Sequence, residues 1–204
     1  MENLKYNLIW FYFRIKPELK IRIGKENLSE IMKTFKHEYI LIDGRTGKEK
    51  GIMAFHRVLI ILGLALYNSL QDSFQNKEVL IDKIHDILWK GRMSKNVRFV
   101  AFFVRRSKNP FISYLKLLSP NNEWLFPCPP WEKESVEINN CVGWHQIKCP
   151  YKDFFEKEGN LELNRAFCDM DKRVAELVAN SIILKRRHTL AKGDEYCDFL
   201  YYRK

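Results

Sequence analysis

Two cysteines, an aspartate and a histidine near the end of the chain have the types and spacing that small-molecule chemistry requires. Cys168 and Asp171 are three positions apart in a segment with helical periodicity, so their side chains are neighbours on one helix surface. His188 and Cys197 flank a turn marked by Gly193-Asp194. A thiolate beside an imidazole or a cation is a competent nucleophile, because its pKa falls and the anion is the attacking species. These four residues are therefore the candidate catalytic group.

The helix predicted over residues 161–179 has three kinds of position. Apolar side chains form a core stripe and charged side chains point to water, both with a period near 3.6 residues. A third strip lies between them and has small side chains, of which two are reactive or acidic: Asn164, Cys168, Asp171 and Ala175. A pocket wall occupies such a position between core and solvent. The alternative is a packed cysteine beside a boundary carboxylate, since free cysteine is among the most buried residue types.

The last two predicted strands form a hairpin that brings Cys197 towards this helix. A four-residue turn places His188 opposite Cys197, and a turn one residue longer places Thr189 there. Side chains alternate between the two faces of a strand, so Asp198 points away from Cys197 and is expected to have a structural role.

Zinc binding is a second chemistry for the same residues. Zn²⁺ accepts sulfur, nitrogen and oxygen ligands in a tetrahedral site, so Cys168, Asp171, His188 and Cys197 form a donor set. No CxxC or HExxH spacing accompanies them, which favours a site without a metal or other cofactor. A third outcome is that both cysteines serve only core packing.

The predicted secondary structure changes character near residue 120. Helical periodicity dominates residues 1–120, and residues 121–204 combine three or four strands with two helices and the motif cysteines. This segregation predicts an α+β fold: a helical N-terminal half packed on a small antiparallel sheet, with C-terminal helices and a final β-hairpin. One domain over residues 1–204 is expected. The predicted helices are 26–39, 53–70, 77–89, 97–118 with a break at Pro110, 151–158 and 161–179, and the predicted strands are 135–141, 143–149, 181–190 and 196–203.

Composition limits the classes of function. The chain has 204 residues, of which 46% are hydrophobic and 14% aromatic, so it can bury a full core. Its net charge of +10 comes from Lys and Arg dispersed among Asp and Glu, which does not favour a nucleic-acid partner. Five cysteines at wide spacing argue against a disulfide framework. The longest apolar run, residues 58–66, is much shorter than the roughly 20 residues of a membrane helix. We therefore expect a cytoplasmic protein without a membrane partner.

An aromatic run over residues 8–13 needs cover from water. Docking on the rest of the chain is the simplest way to provide it. A homodimer interface and a lipid surface are two others.

Four short motifs follow one another in the C-terminal third. They are Cys149-Pro150-Tyr151, Glu162-Leu163, Cys168-x-x-Asp171 and Thr189-Leu190-Ala191-x-Gly193-Asp194-x-x-Cys197-Asp198-Phe199. Their order and spacing resemble the L-2-amino-thiazoline-4-carboxylic acid hydrolase family, over about Trp144 to Tyr202. The closing Gly-x-x-x-Cys-x-Phe pattern also resembles, more faintly, the end of 4-vinyl reductase-type ligand-binding domains.

The family resemblance implies a small-molecule hydrolase that opens a cyclic amidine, a 2-amino-thiazoline ring bearing a carboxylate. Cys168 is then the first choice of nucleophile and Cys197 the second, while Asp171 or His188 transfers a proton to the leaving atom. If Cys168 is an activated nucleophile, iodoacetamide should label it faster than Cys128. The alternative from another class is a non-catalytic small-molecule-binding or sensor domain with the same pocket.

A substrate carboxylate favours a bidentate cation, which predicts Arg187, or its neighbour Arg186, as its partner. His145 is a candidate for the pocket rim, and a surface histidine is the equal alternative. The substrate-binding residues expected on these grounds are Arg187, Thr189, His145, Tyr151 and Asn164.

Overall fold

Helices make up most of the chain and a four-stranded antiparallel sheet follows them, as the α+β prediction requires. The computed structural model describes residues 15–21, 24, 27–118, 125–138, 141–178 and 182–203. The aromatic run of residues 8–13 lies outside these residues. The chain divides into two compact units, Met1–Lys95 and Asn96–Lys204, and each is described by itself. The single domain expected over residues 1–204 stays a prediction.

The first unit is helical throughout its described elements. Residues 15–21 form a helix, and the longer elements are α1 (Leu28–Arg45), α2 (Gly51–Leu70), α3 (Lys77–Leu88) and a π-helical turn at Trp89–Met93. Helices α1 and α2 pack against each other and bury Phe35, Tyr39 and Ile42 of α1. Predicted and observed bounds of α2 and α3 differ by at most two residues.

Helix α1 continues to Arg45, six residues past the end at residue 39 that the sequence predicted. Arg57 of α2 explains the difference, because its guanidinium bonds the Asp43 carboxylate at 2.6 Å and the Asp43 and Thr46 carbonyl oxygens at 2.8 and 3.0 Å. These contacts come from a residue distant in sequence, so they stabilise an extra helical turn that local propensity does not predict.

Helix α2 is apolar on almost all sides. Together with the 3₁₀ turn that follows it, Gly51–Ser73, it is long and apolar enough to cross a membrane by length and composition. The uninterrupted apolar run of residues 58–66, compared above with a membrane helix, is therefore shorter than the apolar helix itself. The most apolar stretch of this helix is 61% buried inside the protein, which is consistent with the core helix of a soluble protein. The cytoplasmic location stays a prediction.

The second unit combines helices with the sheet. Its elements are α4 (Ser94–Arg106, whose first two residues precede the boundary), α5 (Pro110–Leu118), β1 (Glu132–Ile138), β2 (Cys141–Lys148), α6 (Pro150–Lys157), α7 (Asn164–Val178), β3 (Ile182–Lys185) and β4 (Cys197–Arg203). The strand order is β1-β2-β4-β3 with antiparallel pairing. The break predicted at Pro110 is confirmed: proline has no N–H to continue a helix and begins α5 instead.

The final hairpin is shorter than predicted, because β3 ends at Lys185 and not at Leu190. The buried Asp198 carboxylate accepts the backbone N–H groups of Arg187 at 2.8 Å and His188 at 2.7 Å. These are groups that a longer strand would use for pairing. Lys185 pairs with Leu200, and this register, if continued, would set His188 opposite Cys197 as the four-residue turn predicted.

Strands β2 and β4 approach each other very closely at Gly143. A Cβ atom at this position would lie 2.0 Å from the Phe199 carbonyl oxygen, well inside van der Waals contact. Trp144, the next residue, pairs with Phe199 and stacks on its ring at a centroid distance of 5.2 Å. The glycine therefore allows the close pairing on which the aromatic packing of this sheet face depends.

Candidate functional site

The helix strip predicted from the sequence runs from the interior of α7 to its surface. Asn164 is only 2% exposed, Cys168 is half-buried, and the Asp171 side chain is 35% exposed. The Asn164 amide group lies 3.7 Å from the Cys168 sulfur and donates to it. The strip thus forms a wall with a buried polar end and an acidic end that water can reach.

Arg186 connects this wall to the sheet. It follows directly after β3, and its guanidinium donates to the Asp171 carboxylate at 2.9 Å and to the Cys168 carbonyl oxygen at 3.0 Å. The same group lies 3.9 Å above the Phe199 ring of β4. With an exposed fraction of 7%, the Arg186 side chain is a nearly buried cation held by a carboxylate, a carbonyl and an aromatic face.

The positive charge of Arg186 acts on two thiols, Cys168 and Cys197, and a third thiol, Cys149, lies within electrostatic range of both. Cys197 is buried at the start of β4, where its sulfur accepts the Leu190 N–H at 3.2 Å, and Cys149 precedes α6. Cys149 and Cys197 are close enough to Cys168 that a charge on either would raise its pKa. Asp171, Cys149 and Cys197 therefore lie within electrostatic range of Cys168, and Arg186 bonds both Asp171 and the Cys168 carbonyl oxygen.

Burial controls the ionisation of these thiols. It raises the pKa of Cys149 to about 12 and raises the pKa values of Cys168 and Cys197 as well. The positive charge of Arg186 acts in the opposite direction on Cys168 and Cys197, but desolvation has the larger effect. All three are therefore thiols near neutral pH. The raised pKa of Cys168 is opposite in direction to the lowered pKa that an activated Cys168 thiolate would have.

Asp171 has a raised pKa although it is paired with Arg186, because desolvation outweighs the attraction of the guanidinium. A carboxyl group with a raised pKa exchanges protons closer to neutral pH than an ordinary aspartate. Tyr114 of α5 and Tyr201 of β4 are hydrogen-bonded to each other nearby, and burial raises both phenol pKa values. The charge of Asp171 raises both pKa values further.

The two histidines of the prediction lie elsewhere. His188 is half exposed, and its imidazole lies 3.6 Å from Asp194 and against the Tyr196 ring. His145 stacks on the same Tyr196 ring, at a centroid distance of 3.9 Å. It pairs with Asp198 in the sheet, so its side chain lies on the face opposite Cys197. Strand alternation explains the position of His145, and the His188 imidazole lies against Asp194 and Tyr196 while its carbonyl oxygen accepts the Asp198 N–H at 3.3 Å.

The remaining predicted binding residues are mostly structural in this geometry. Arg187 is exposed and its backbone N–H bonds Asp198, so Arg186 is the arginine that reaches the thiols. The Thr189 N–H donates to Asp194 at 2.6 Å within the turn that Gly193 completes with a φ of +90°. Tyr151 packs against Phe167 and Trp131, and burial raises its pKa.

The zinc alternative gains no support from the part of the chain that the structure describes. No group of three or more His, Cys, Asp or Glu side chains in it has an arrangement that could hold a metal ion. His188, one of the four proposed ligands, points to Asp194 and Tyr196.

Among the buried polar atoms of the described second unit, Trp144 Nε1, Asn164 Oδ1 and Arg186 Nε have no hydrogen-bond partner. Asn164 touches Cys168, Arg186 touches its carbonyl, and Trp144 stacks on the ring that Arg186 covers. Leaving such atoms unpaired is costly, and functional sites are a common reason for it. Two donors and one acceptor are thus available between α7 and the sheet.

Sequence reasoning missed part of this group. Tyr201 shares a strand face with Cys197, so alternation could have included it, whereas Tyr114 lies on a distant helix without any local signal. Cys149 was noted only as part of a motif.

A family model described as L-2-amino-thiazoline-4-carboxylic acid hydrolase matches residues 5–201, nearly the whole chain and not only residues 144–202. No curated protein and no solved structure matches the chain significantly. The fainter likeness to 4-vinyl reductase-type domains stays a prediction.

Proposed function

Since the chain belongs to the L-2-amino-thiazoline-4-carboxylic acid hydrolase family, we propose that it is a hydrolase that opens a carboxylate-bearing cyclic amidine between α7 and the sheet. The family name denotes a hydrolase, and the substrate class and the bond cleaved are part of the proposal.

The observation that carries the proposal is the position of Arg186. This nearly buried cation holds Asp171 and the backbone of Cys168 in place and still has an unpartnered Nε–H. A substrate carboxylate would accept from that N–H, and an amidine N–H would donate to the unpartnered Asn164 Oδ1. These two groups therefore complement a small planar molecule with an anion at one end and a donor at the other.

In the proposed reaction the Cys168 sulfur attacks the amidine carbon, and Asp171 carries the thiol proton to the leaving ring atom. Because burial keeps Cys168 as a thiol, its proton must pass to Asp171 as the carbon–sulfur bond forms. Asp171 then returns the proton to the ring atom that leaves. Water finally hydrolyses the enzyme-bound intermediate and regenerates the thiol.

Turnover of purified protein with 2-amino-thiazoline-4-carboxylic acid, followed by mass spectrometry of the product, tests the proposal. Cys168→Ser and Asp171→Asn should each lower kcat by roughly 10²-fold or more, the range expected for loss of a nucleophile or a proton-transfer group. Cys128→Ser is the matched control, since Cys128 is exposed, and it should leave turnover unchanged. Absence of turnover, or full activity of Cys168→Ser, would contradict the assigned roles.

A non-catalytic binding or sensor domain is the second candidate, and the raised thiol pKa values favour it. Protonated, buried thiols are poor nucleophiles but are compatible with a polar pocket that only holds a ligand. Under this alternative the wild type and Cys168→Ser would bind the same compound with similar Kd, and neither would convert it.

A further inference from the structure

Helix α4 presents three phenylalanine rings to solvent. Phe99, Phe102 and Phe103 are 68%, 50% and 58% exposed. Their spacing of three and four residues puts them on one face, and the rings contact each other at centroid distances of 5.0 and 5.3 Å. An aromatic cluster that is exposed to this degree marks an interaction surface.

The opposite face of α4 is fixed in the second unit. Val97, Ala101 and Val104 are buried, and the Arg105 guanidinium bonds the Leu177 carbonyl oxygen of α7. Turning the helix to bury the phenylalanine cluster would expose these contacts. The aromatic face is therefore a stable feature of this helix.

All charged side chains of α4 are basic. Its basic side chains are Lys95, Arg98, Arg105 and Arg106, and it contains no acidic residue. Arg106 lies 3.6 Å above the Phe102 ring, so a cation directly borders the aromatic cluster. Any occupant of this surface must be apolar where it meets the rings and negatively charged around them.

An anionic lipid surface fits this chemistry better than a protein partner. Three phenylalanines at these exposures offer roughly 300–450 Å², whereas a stable protein interface takes about 800 Å² from each partner. Interfacial helices combine an apolar aromatic face with flanking basic residues, which contact lipid headgroups. We propose that the exposed face of α4 docks the protein on membranes that contain anionic lipids. The proposal departs from the expectation of no membrane partner.

Flotation of the full-length protein with vesicles tests the proposal. One set of vesicles is phosphatidylcholine alone, and the other contains about one third phosphatidylglycerol. We expect binding to the anionic vesicles only, with loss of binding at high salt because the attraction is screened. Equal binding to both vesicles, or binding to neither, would overturn the proposal.

Matched variants locate the surface. Arg98→Gln/Arg106→Gln should weaken vesicle binding about 30-fold, since each cation near an anionic surface contributes about fivefold, and Phe99→Ser/Phe103→Ser should abolish it. The controls are Lys33→Gln/Lys36→Gln and Ile40→Ser/Leu41→Ser, which change exposed side chains of α1 and should bind as the wild type does. If the phenylalanine variant instead lowers Tm or dissociates a dimer while vesicle binding persists, another part of the chain or a second copy covers α4, and the proposal is wrong.

Discussion

Removing either member of the Asp171–Arg186 pair should destabilise the protein unequally, and the inequality follows from exposure. Arg186 is 7% exposed and Asp171 is 35% exposed. Asp171→Ala leaves a nearly buried cation without its anion. Arg186→Met leaves a partly exposed carboxyl group whose raised pKa lets it become neutral by taking up a proton, while the methionine keeps an apolar contact with Phe199.

The magnitudes follow from the behaviour of ion pairs. Breaking a fully buried pair costs about 3–5 kcal/mol, and the partial exposure of Asp171 lowers this figure. We expect Asp171→Ala to reduce the free energy of unfolding by about 2–3 kcal/mol and Arg186→Met by about 1 kcal/mol. Arg187→Met is the matched control, because Arg187 is exposed, and it should stay within about 0.5 kcal/mol of the wild type.

Urea unfolding followed by circular dichroism measures these differences. Hydrogen exchange of the amides of residues 164–178 shows whether the loss is local to α7. The reasoning is refuted if Arg186→Met costs more than Asp171→Ala, or if both behave like Arg187→Met.

Three further outcomes are expected. Iodoacetamide should label the exposed Cys128 faster than Cys168, in reverse of the sequence-based expectation, because burial raises the Cys168 pKa; quantitative mass spectrometry of the labelled peptides checks the order. Gly143→Ala should lower Tm by more than 10 °C or prevent folding, since its Cβ would meet the Phe199 carbonyl at 2.0 Å. The raised folded-state pKa of Asp171 means that protonation stabilises the fold at low pH, and that this contribution is lost as pH rises through the folded value. As pH rises through the folded-state pKa of Asp171, the Tm of the wild type should therefore fall relative to the Tm of Asp171→Asn, which thermal scans at a series of pH values would measure. Parallel curves of Tm against pH for the two proteins would contradict a raised pKa of Asp171.

Helical periodicity predicted much of the fold because it reports which face of an element is buried. The strip of Asn164, Cys168 and Asp171 was identified on this basis, and the structure puts it between interior and solvent. The α+β class followed from the change of pattern near residue 120.

The failures have a common physical origin in contacts between residues distant in sequence. Arg57 extends α1 beyond its predicted end at residue 39, and Asp198 ends β3 by accepting two backbone N–H groups. The His188 imidazole lies against Asp194 and Tyr196, and Arg186 is the cation that bonds Asp171 and the Cys168 carbonyl oxygen. The thiol pKa values could not be inferred from residue types, because desolvation depends on packing that a linear pattern does not specify.

The side-chain NMR signal of Arg186 Nε–H tests the central claim most directly, because this buried donor has no partner in the described structure. Titration with 2-amino-thiazoline-4-carboxylic acid should shift the Arg186 signal and slow its exchange with water as the donor gains an acceptor, while the exposed Arg187 signal stays unchanged. An unchanged Arg186 signal at ligand concentrations that saturate the protein would show that the ligand binds elsewhere and would contradict the proposed site.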